Sequence, residues 1–313
     1  MKTISVFDTT VSSYNMGNDI IMDSVNDVLF QLFPNDFFFK HPIVEITKHT
    51  TGHLSKSDYI FFGGTNSLSS NMLRYRQWNV NLFNYSKINN VILLGLGWWQ
   101  YQKTPSSYTR FILNKVLSKT HLHATRDKYT ENNLRKIGLT NIVTTGCPTL
   151  WDLTEEHCSQ IPKNKSDKVI LTFTDYRKDV KRDTMIYNIA KKFYKKIFIW
   201  LQGQGDYEYI KSIFDDGYEI IPPNTQAFND VLKNNDIDYL GTRLHAGIRA
   251  LQFKRRTFII GIDNRALEMQ NDFGLPVISY NNLDSINDYL SSSYNLKLNL
   301  PWNNIEKWKM QFK

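Results

Sequence analysis

Ile237-Asp238-Tyr239-Leu240-Gly241-Thr242-Arg243-Leu244-His245-Ala246-Gly247 joins an apolar run to an amphipathic one. Ile237 to Leu240 reads as the end of a buried parallel strand. Ile248-Arg249-Ala250-Leu251-Gln252-Phe253 reads as a helix. An arginine and a histidine therefore stand two residues apart in a strand-to-helix turn. Open α/β sheets bind ligands at such carboxyl ends of strands. Arg243 offers a fixed fork of donors suited to carboxylate or phosphate. His245 gives or takes a proton near neutral pH. A helix cap plus an ion pair would account for the same residues.

Strand and helix patterns alternate outward from this turn in both directions. Upstream, strands are expected at Ile4 to Asp8, Tyr59 to Phe62, Val91 to Leu94, Leu122 to Thr125 and Ile142 to Thr144. Helices are expected from Asp19 to about Phe33, Met72 to Tyr85, before Leu117, and Lys128 to Ile137. The polar stretch Glu155 to Lys168 reads as a linker. A second series runs from the strand Val169–Phe173 to the strand Val277–Ser279. The β-α-β repetition predicts an α/β fold with two parallel sheets, each covered by helices. The expected limits are 1–158 for a Rossmann-like first domain, 166–300 for a second, and 301–313 for a terminal helix. Two such domains facing each other would leave a cleft between them, a common place for a ligand. The tail sets Trp302, Ile305, Trp308 and Phe312 at helical spacing. Two readings compete for it: packing on the first domain, which is favoured, or lying on a membrane surface.

The chain has 313 residues, 41% apolar and 22% charged, which fits a globular protein. Two cysteines, Cys147 and Cys158, make neither a disulfide framework nor a metal quartet. A reducing, cytoplasmic setting is expected, since the first residues lack a signal peptide's apolar core. No run approaches the ~18 apolar residues of a membrane span. The net charge of +8 favours anionic partners. Nucleic acid is not expected, because no binding motif appears.

Several loops could carry chemistry. Asn15-Met16-Gly17-Asn18-Asp19 joins the first strand to the first helix and could hold a substrate at the helix N-terminus. It lacks the three-glycine dinucleotide fingerprint, so no nicotinamide is expected. Gly63-Gly64-Thr65 ends a strand, where glycines permit either close ligand approach or tight packing. Trp98 and Trp99 offer flat faces for a sugar ring, with a core role open for at least one. Arg126-Asp127 could bind an anion or cap a helix. Arg265 stands at a helix N-terminus, one strand along from Arg243. A cation there opposes the helix dipole, a cost that makes sense if both arginines attract one anion. No metal site is expected, since His121 and His123 have no third ligand at metal spacing.

In this order the pieces resemble the polysaccharide pyruvyl transferase family. The resemblance runs through Asn15-Met16-Gly17-Asn18-Asp19, Gly63-Gly64, Arg126-Asp127, Gly146-Cys147-Pro148-Thr149, Arg243-Leu244-His245 and Asp263-Asn264-Arg265 to Phe273-Gly274-Leu275-Pro276. It departs at Thr65, where the family often has a third glycine, and at Arg265, where a lysine is usual. The resemblance implies a two-domain, GT-B-type fold with no cofactor. It implies transfer of the enolpyruvyl unit of phosphoenolpyruvate to a sugar or lipid-linked oligosaccharide acceptor, closing a cyclic ketal. His245 and Asp19 then become candidate catalytic groups. Arg243, Arg265 and Arg126 become candidate phosphoenolpyruvate ligands. Asn15, Gly17, Gly64, Thr65, Trp98 and Trp99 become candidates for the acceptor side. The basic charge and aromatic tail allow brief peripheral contact with a membrane. A GT-B glycosyltransferase using a nucleotide sugar is the alternative, and a carbohydrate-binding protein without catalysis is a third.

Overall fold

The computed structural model describes residues 1–313. Its contacts divide into two compact units. Met1–Ser13, Ile21–Trp151 and Leu300–Lys313 form the first; Tyr14–Ile20 and Asp152–Asn299 form the second. The change of unit falls at Trp151–Asp152, ahead of the polar stretch read as a linker. That stretch instead carries a short helix and is tied into the second unit. His157 Nε2 bonds the carbonyl of Leu251 at 2.8 Å, and Lys254 Nζ donates to Gln160 at 2.5 Å.

In chain order the first part holds β1 (Thr3–Asp8), α1 (Gly17–Leu32), β2 (Phe37–Pro42), α2 (Lys48–Leu54), β3 (Tyr59–Gly63), β4 (Val91–Leu94), α3 (Ser107–Val116), β5 (His123–Thr125), α4 (Lys128–Lys136) and β6 (Ile142–Thr144). There follow α5 (Glu155–Ser159), β7 (Lys168–Thr172), α6 (Val180–Phe193), β8 (Lys196–Trp200), α7 (Asp206–Ile213), β9 (Glu219–Ile221) and α8 (Thr225–Asn234). The chain ends with β10 (Asp238–Gly241), α9 (Leu244–Gln252), β11 (Thr257–Gly261), α10 (Asn264–Phe273), β12 (Val277–Ser279), α11 (Ile286–Ser291) and α12 (Trp302–Met310).

The first sheet runs β2-β1-β3-β4, all parallel. The parallel pair β5-β6 continues it beside β4, where Gly95 N–H donates to Ala124 O and Arg126 N–H to Leu96 O. This is a flavodoxin-like order, whose direction reverses between β1 and β3. The second sheet runs β12-β11-β10-β7-β8-β9. Counted from its own first strand, that is the 3-2-1-4-5-6 order of dinucleotide-binding folds, reversing between β7 and β10. The central strands β4 and β10 are buried at every position; β4 is accordingly all apolar, and the one charge in β10, Asp238, is paired with Arg256 at 3.1 Å.

The helix expected over Met72–Tyr85 does not form; the segment is a chain of turns. Asparagine side chains there bond nearby backbone and so compete with helix formation. The strand β2 and helix α2 lie where no element was expected. β2 is an edge strand with Phe37 half-exposed, so it lacks the apolar run that marks a central strand.

The terminal helix α12 is part of the first unit's core. Ile305 and Trp308 are fully buried. The Trp308 ring packs edge-on near Trp151 at 5.9 Å and Phe312 at 5.0 Å. Ile305 and Trp308 of the apolar stripe are thus used in packing, while Trp302 at its start is 37% exposed. Trp308→Ala should lower first-unit stability by about 3–5 kcal/mol, read from denaturant unfolding.

His123 is also buried here, and its neutral ring has two partners. Leu93 N–H donates to Nδ1 at 3.2 Å, and Nε2 faces the carbonyl of Ser118 at 2.9 Å. These partners assign the proton to Nε2. Burial pushes its pKa down to about 4, despite the carbonyl of Ser118. The unfolded chain therefore takes up this proton first. The stability is intact above pH ~6.5 and falls as pH drops toward 4, by about 3 kcal/mol at completion. His123→Gln should flatten the pH dependence of first-unit unfolding by one proton; an unchanged slope would contradict this.

Candidate active site

Four adjacent strands of the second sheet, β11-β10-β7-β8, deliver their carboxyl ends to one edge. The reversal between β7 and β10 opens a crevice there. Arg243 and His245 follow β10, Asp175 and Tyr176 follow β7, Gln202 to Asp206 follow β8, and Asp263 to Arg265 follow β11.

The turn after β10 is stitched to the one after β7. Thr174 Oγ1 and Thr242 Oγ1 share a hydrogen bond of 2.8 Å, and the Tyr239 hydroxyl donates to the carbonyl of Arg243 at 2.8 Å. Arg243 is 2% exposed. Its Nε donates to Phe173 O at 3.1 Å, and its Nη2 to Asp175 at 2.9 Å and to Asp206. Asp206 also accepts the backbone N–H groups of Gln202 and Gly203, at 3.0 and 2.8 Å. Burial pushes the Asp206 carboxyl above its ordinary range, against the pull of Arg243. A side chain at Gly203 would collide with the Arg243 guanidinium, so glycine is required for this approach.

Tyr176 links the two arginines. Its ring lies 5.1 Å from the Arg243 guanidinium carbon, and its hydroxyl accepts from Arg265 Nη2 at 2.9 Å. Arg265 is 24% exposed and paired with Asp263, the N-cap of α10. Burial disfavours its charge, but Asp263 and Tyr176 outweigh that and raise its pKa. The dipole cost expected for Arg265 is offset by this cap. His245 is buried at the second position of α9, whose first backbone N–H groups point along the helix axis at its N-terminus.

The segment of the first loop joins this same unit. Asn15 forms an antiparallel bridge with Gly203, Met16 N–H donates to Gln202 O at 2.9 Å, and Gln202 Nε2 donates to Asn15 Oδ1 at 2.8 Å. Gly17 is buried against the Gln202 side chain. Asp19 lies on the first turn of α1 and is half-buried. Asp19 falls within the expected first domain of 1–158, but its segment, Tyr14–Ile20, clusters with the second unit.

The other candidates belong to the first unit. Arg126 is fully buried and donates to Asn66 Oδ1 at 2.6 Å. Gly64 has φ +67°, and a side chain there would run into Ile21 of α1, so helix packing demands this glycine. Thr65 is half-buried, its carbonyl accepting from Gly97 N–H at 2.7 Å. Trp98 is fully buried, with Nε1 donating to Ser70 Oγ at 3.2 Å. Its faces are covered by the core, which corrects the expectation of a sugar platform at that residue. Trp99 is half-buried and tilted against Tyr75 at 4.5 Å.

Sequence reasoning missed Asp175, Tyr176, Asp206 and Gln202. The first two follow a correctly placed strand, so the strand order was the signal lacking. Asp206 carried only a cap-like signal beside Gly203-Gln204-Gly205.

Fold and site define a class: an α/β protein of the GT-B kind, with an arginine–histidine turn at a topological switch point. The chain belongs to the polysaccharide pyruvyl transferase family, whose sequence profile matches residues 15–264. No curated protein sequence matches it. Among solved structures, the Methanocaldococcus jannaschii UDP-GlcNAc 2-epimerase in complex with UDP-GlcNAc and UDP is similar, with a TM-score of 0.55 at 14% identity, over 99% of this chain and 98% of that one. S. aureus MnaA, in a co-structure with UDP, gives 0.49 at 14%, over 94% and 92%. The E. coli heptosyltransferase WaaC with ADP-2-deoxy-2-fluoro heptose gives 0.45 at 11%, over 97% and 99%. The first of these likenesses speaks to the fold alone; the other two carry no argument.

The two arginines should respond differently to truncation. Arg243→Ala leaves the Asp175 and Asp206 carboxylates facing each other and should cost about 3–5 kcal/mol of second-unit stability. Arg265→Ala removes a partly exposed partner and should cost at most about 1 kcal/mol. Equal melting temperatures for the two variants would contradict this.

Proposed function

We propose that the protein transfers the enolpyruvyl group of phosphoenolpyruvate to a sugar of a surface polysaccharide or its precursor and closes a pyruvate ketal. Family membership carries this reading. The cationic and hydrogen-bonding groups at the switch point of the second unit support it. Phosphoenolpyruvate is the donor, and its carboxylate and phosphate need fixed N–H and O–H donors. Arg265, the Tyr176 hydroxyl and the N-terminal N–H groups of α9, which has no side-chain cap, are the ligands proposed here. Arg243 is matched by two carboxylates, so its part is to fix the strand-end turn, and it meets the substrate only where Asp175 turns aside. Arg126, fully buried and bonded to Asn66, is not carried into this proposal.

The chemistry balances without a redox step. One sugar hydroxyl gives its proton to a base as its oxygen bonds the central carbon of phosphoenolpyruvate, and a proton is added to the methylene carbon. The C–O bond to phosphate then breaks, the second hydroxyl bonds the same carbon, and its proton leaves with phosphate or a base. His245 is the proposed proton donor and acceptor, with Asp19 as partner base. Asn15, Gly17, Thr65 and Trp99 stand on the acceptor side of this proposal.

Thermal melting with phosphoenolpyruvate, against a panel of nucleotide sugars and nucleoside diphosphates, tests the reading. Phosphoenolpyruvate should raise the melting temperature of the wild type, and Arg265→Ala should lose most of that shift while folding normally. A shift with a nucleotide ligand alone would overturn the reading in favour of a glycosyltransferase. His245→Gln should retain the shift and lose turnover by at least a hundredfold; near-normal turnover would remove His245 from the mechanism.

A further inference from the structure

From Tyr59 to Arg126 the chain has no aspartate or glutamate but has eight lysines and arginines. Of the 38 cationic residues, 30 then remain elsewhere against 30 carboxylates, so the whole formal charge of +8 arises in this one stretch. All of its cations except the buried Arg126 are exposed.

The same stretch holds two apolar side chains out in solvent. Leu82 is 56% exposed and Phe83 96%. They stand on a turn braced by asparagines. Asn81 N–H donates to Asn84 Oδ1 at 2.8 Å, and Phe83 N–H to Asn81 Oδ1 at 2.9 Å. Asn84 Nδ2 donates to Asn79 O at 3.1 Å, and Asn79 Nδ2 to Val44 O at 3.0 Å. Val44 is itself half-exposed. Tyr85, next in the chain, packs on the partly exposed Phe111 at 5.3 Å, over which Lys115 Nζ lies at 5.9 Å. Lys87 ends the short helical turn that follows Asn84. Apolar groups held out in solvent on a stretch of chain with exposed cations and no acid of its own, Glu45 beside Val44 being an exposed carboxylate from outside it, match the chemistry of an anionic bilayer surface.

We propose that this tip docks the protein on an anionic lipid surface. Leu82 and Phe83 enter the boundary between headgroups and acyl chains, while Arg74, Arg76 and Lys87 meet acidic headgroups. No helix of the chain is long and apolar enough to cross a membrane, and the docking is a surface contact. It stands apart from the transferase reading, although a lipid-linked acceptor would be presented at the same surface.

Sedimentation with vesicles tests it without measuring turnover. The whole protein should bind vesicles containing phosphatidylglycerol at least tenfold more tightly than vesicles of phosphatidylcholine alone, and less so at high salt. The double variant Leu82→Ser, Phe83→Ser should bind about tenfold more weakly or worse, with an unchanged melting temperature. Arg74→Gln, Arg76→Gln and Lys87→Gln together should remove the preference for anionic lipid. Absence of sedimentation with either vesicle would overturn the proposal and leave the tip to a protein partner. So would wild-type binding by the serine variant.

Discussion

A buried guanidinium held between two carboxylates organises the second unit. Arg243 joins three strand ends at once: its own after β10, Asp175 after β7 and Asp206 after β8. A charge this deep is tolerable only when paired and hydrogen-bonded, and breaking one side leaves the other stranded. Glycine at 203 is a consequence, since any side chain there would occupy the guanidinium's place. Because Asn15 bridges Gly203, the loop that opens α1 is positioned by the same centre. The turn carrying His245 inherits its place from this arrangement and not from contacts of its own alone.

The first unit uses a similar device on a smaller scale. Arg126, after β5, donates to Asn66, after β3. Gly97, after β4, leaves room for both side chains. In each unit an arginine ties loops at the carboxyl ends of parallel strands, where a sheet offers its ligand-binding edge. The aromatic contacts of Trp308 close the opposite demand, burying the face of the sheet under the last helix.

Much of this was legible in the sequence. Runs such as Val91 to Leu94 must be buried on both faces, and they fell in place as strands. Capping residues such as Asp127 fixed helix limits. The edge strand β2 was not legible, because only His41 in it is buried and Lys40 and His41 interrupt its apolar residues. The failed helix before Tyr85 shows local asparagine chemistry prevailing over a helical reading. Arg243 and His245 were legible as candidates because strand-to-helix turns of this type bind ligands. That Arg243 would be neutralised was not, since Asp175 and Asp206 lie far from it in sequence and only strand order brings them together. Trp98 and Trp99 could not be told apart, as only the fold decides which ring faces inward.

Hydrogen exchange with and without phosphoenolpyruvate tests the central claim, that the donor is held at the switch point of the second sheet. Slowed exchange is predicted in residues 173–177, 242–247 and 263–267. Protection confined to other segments, or protection of these by nucleotide sugars but not by phosphoenolpyruvate, would contradict the account.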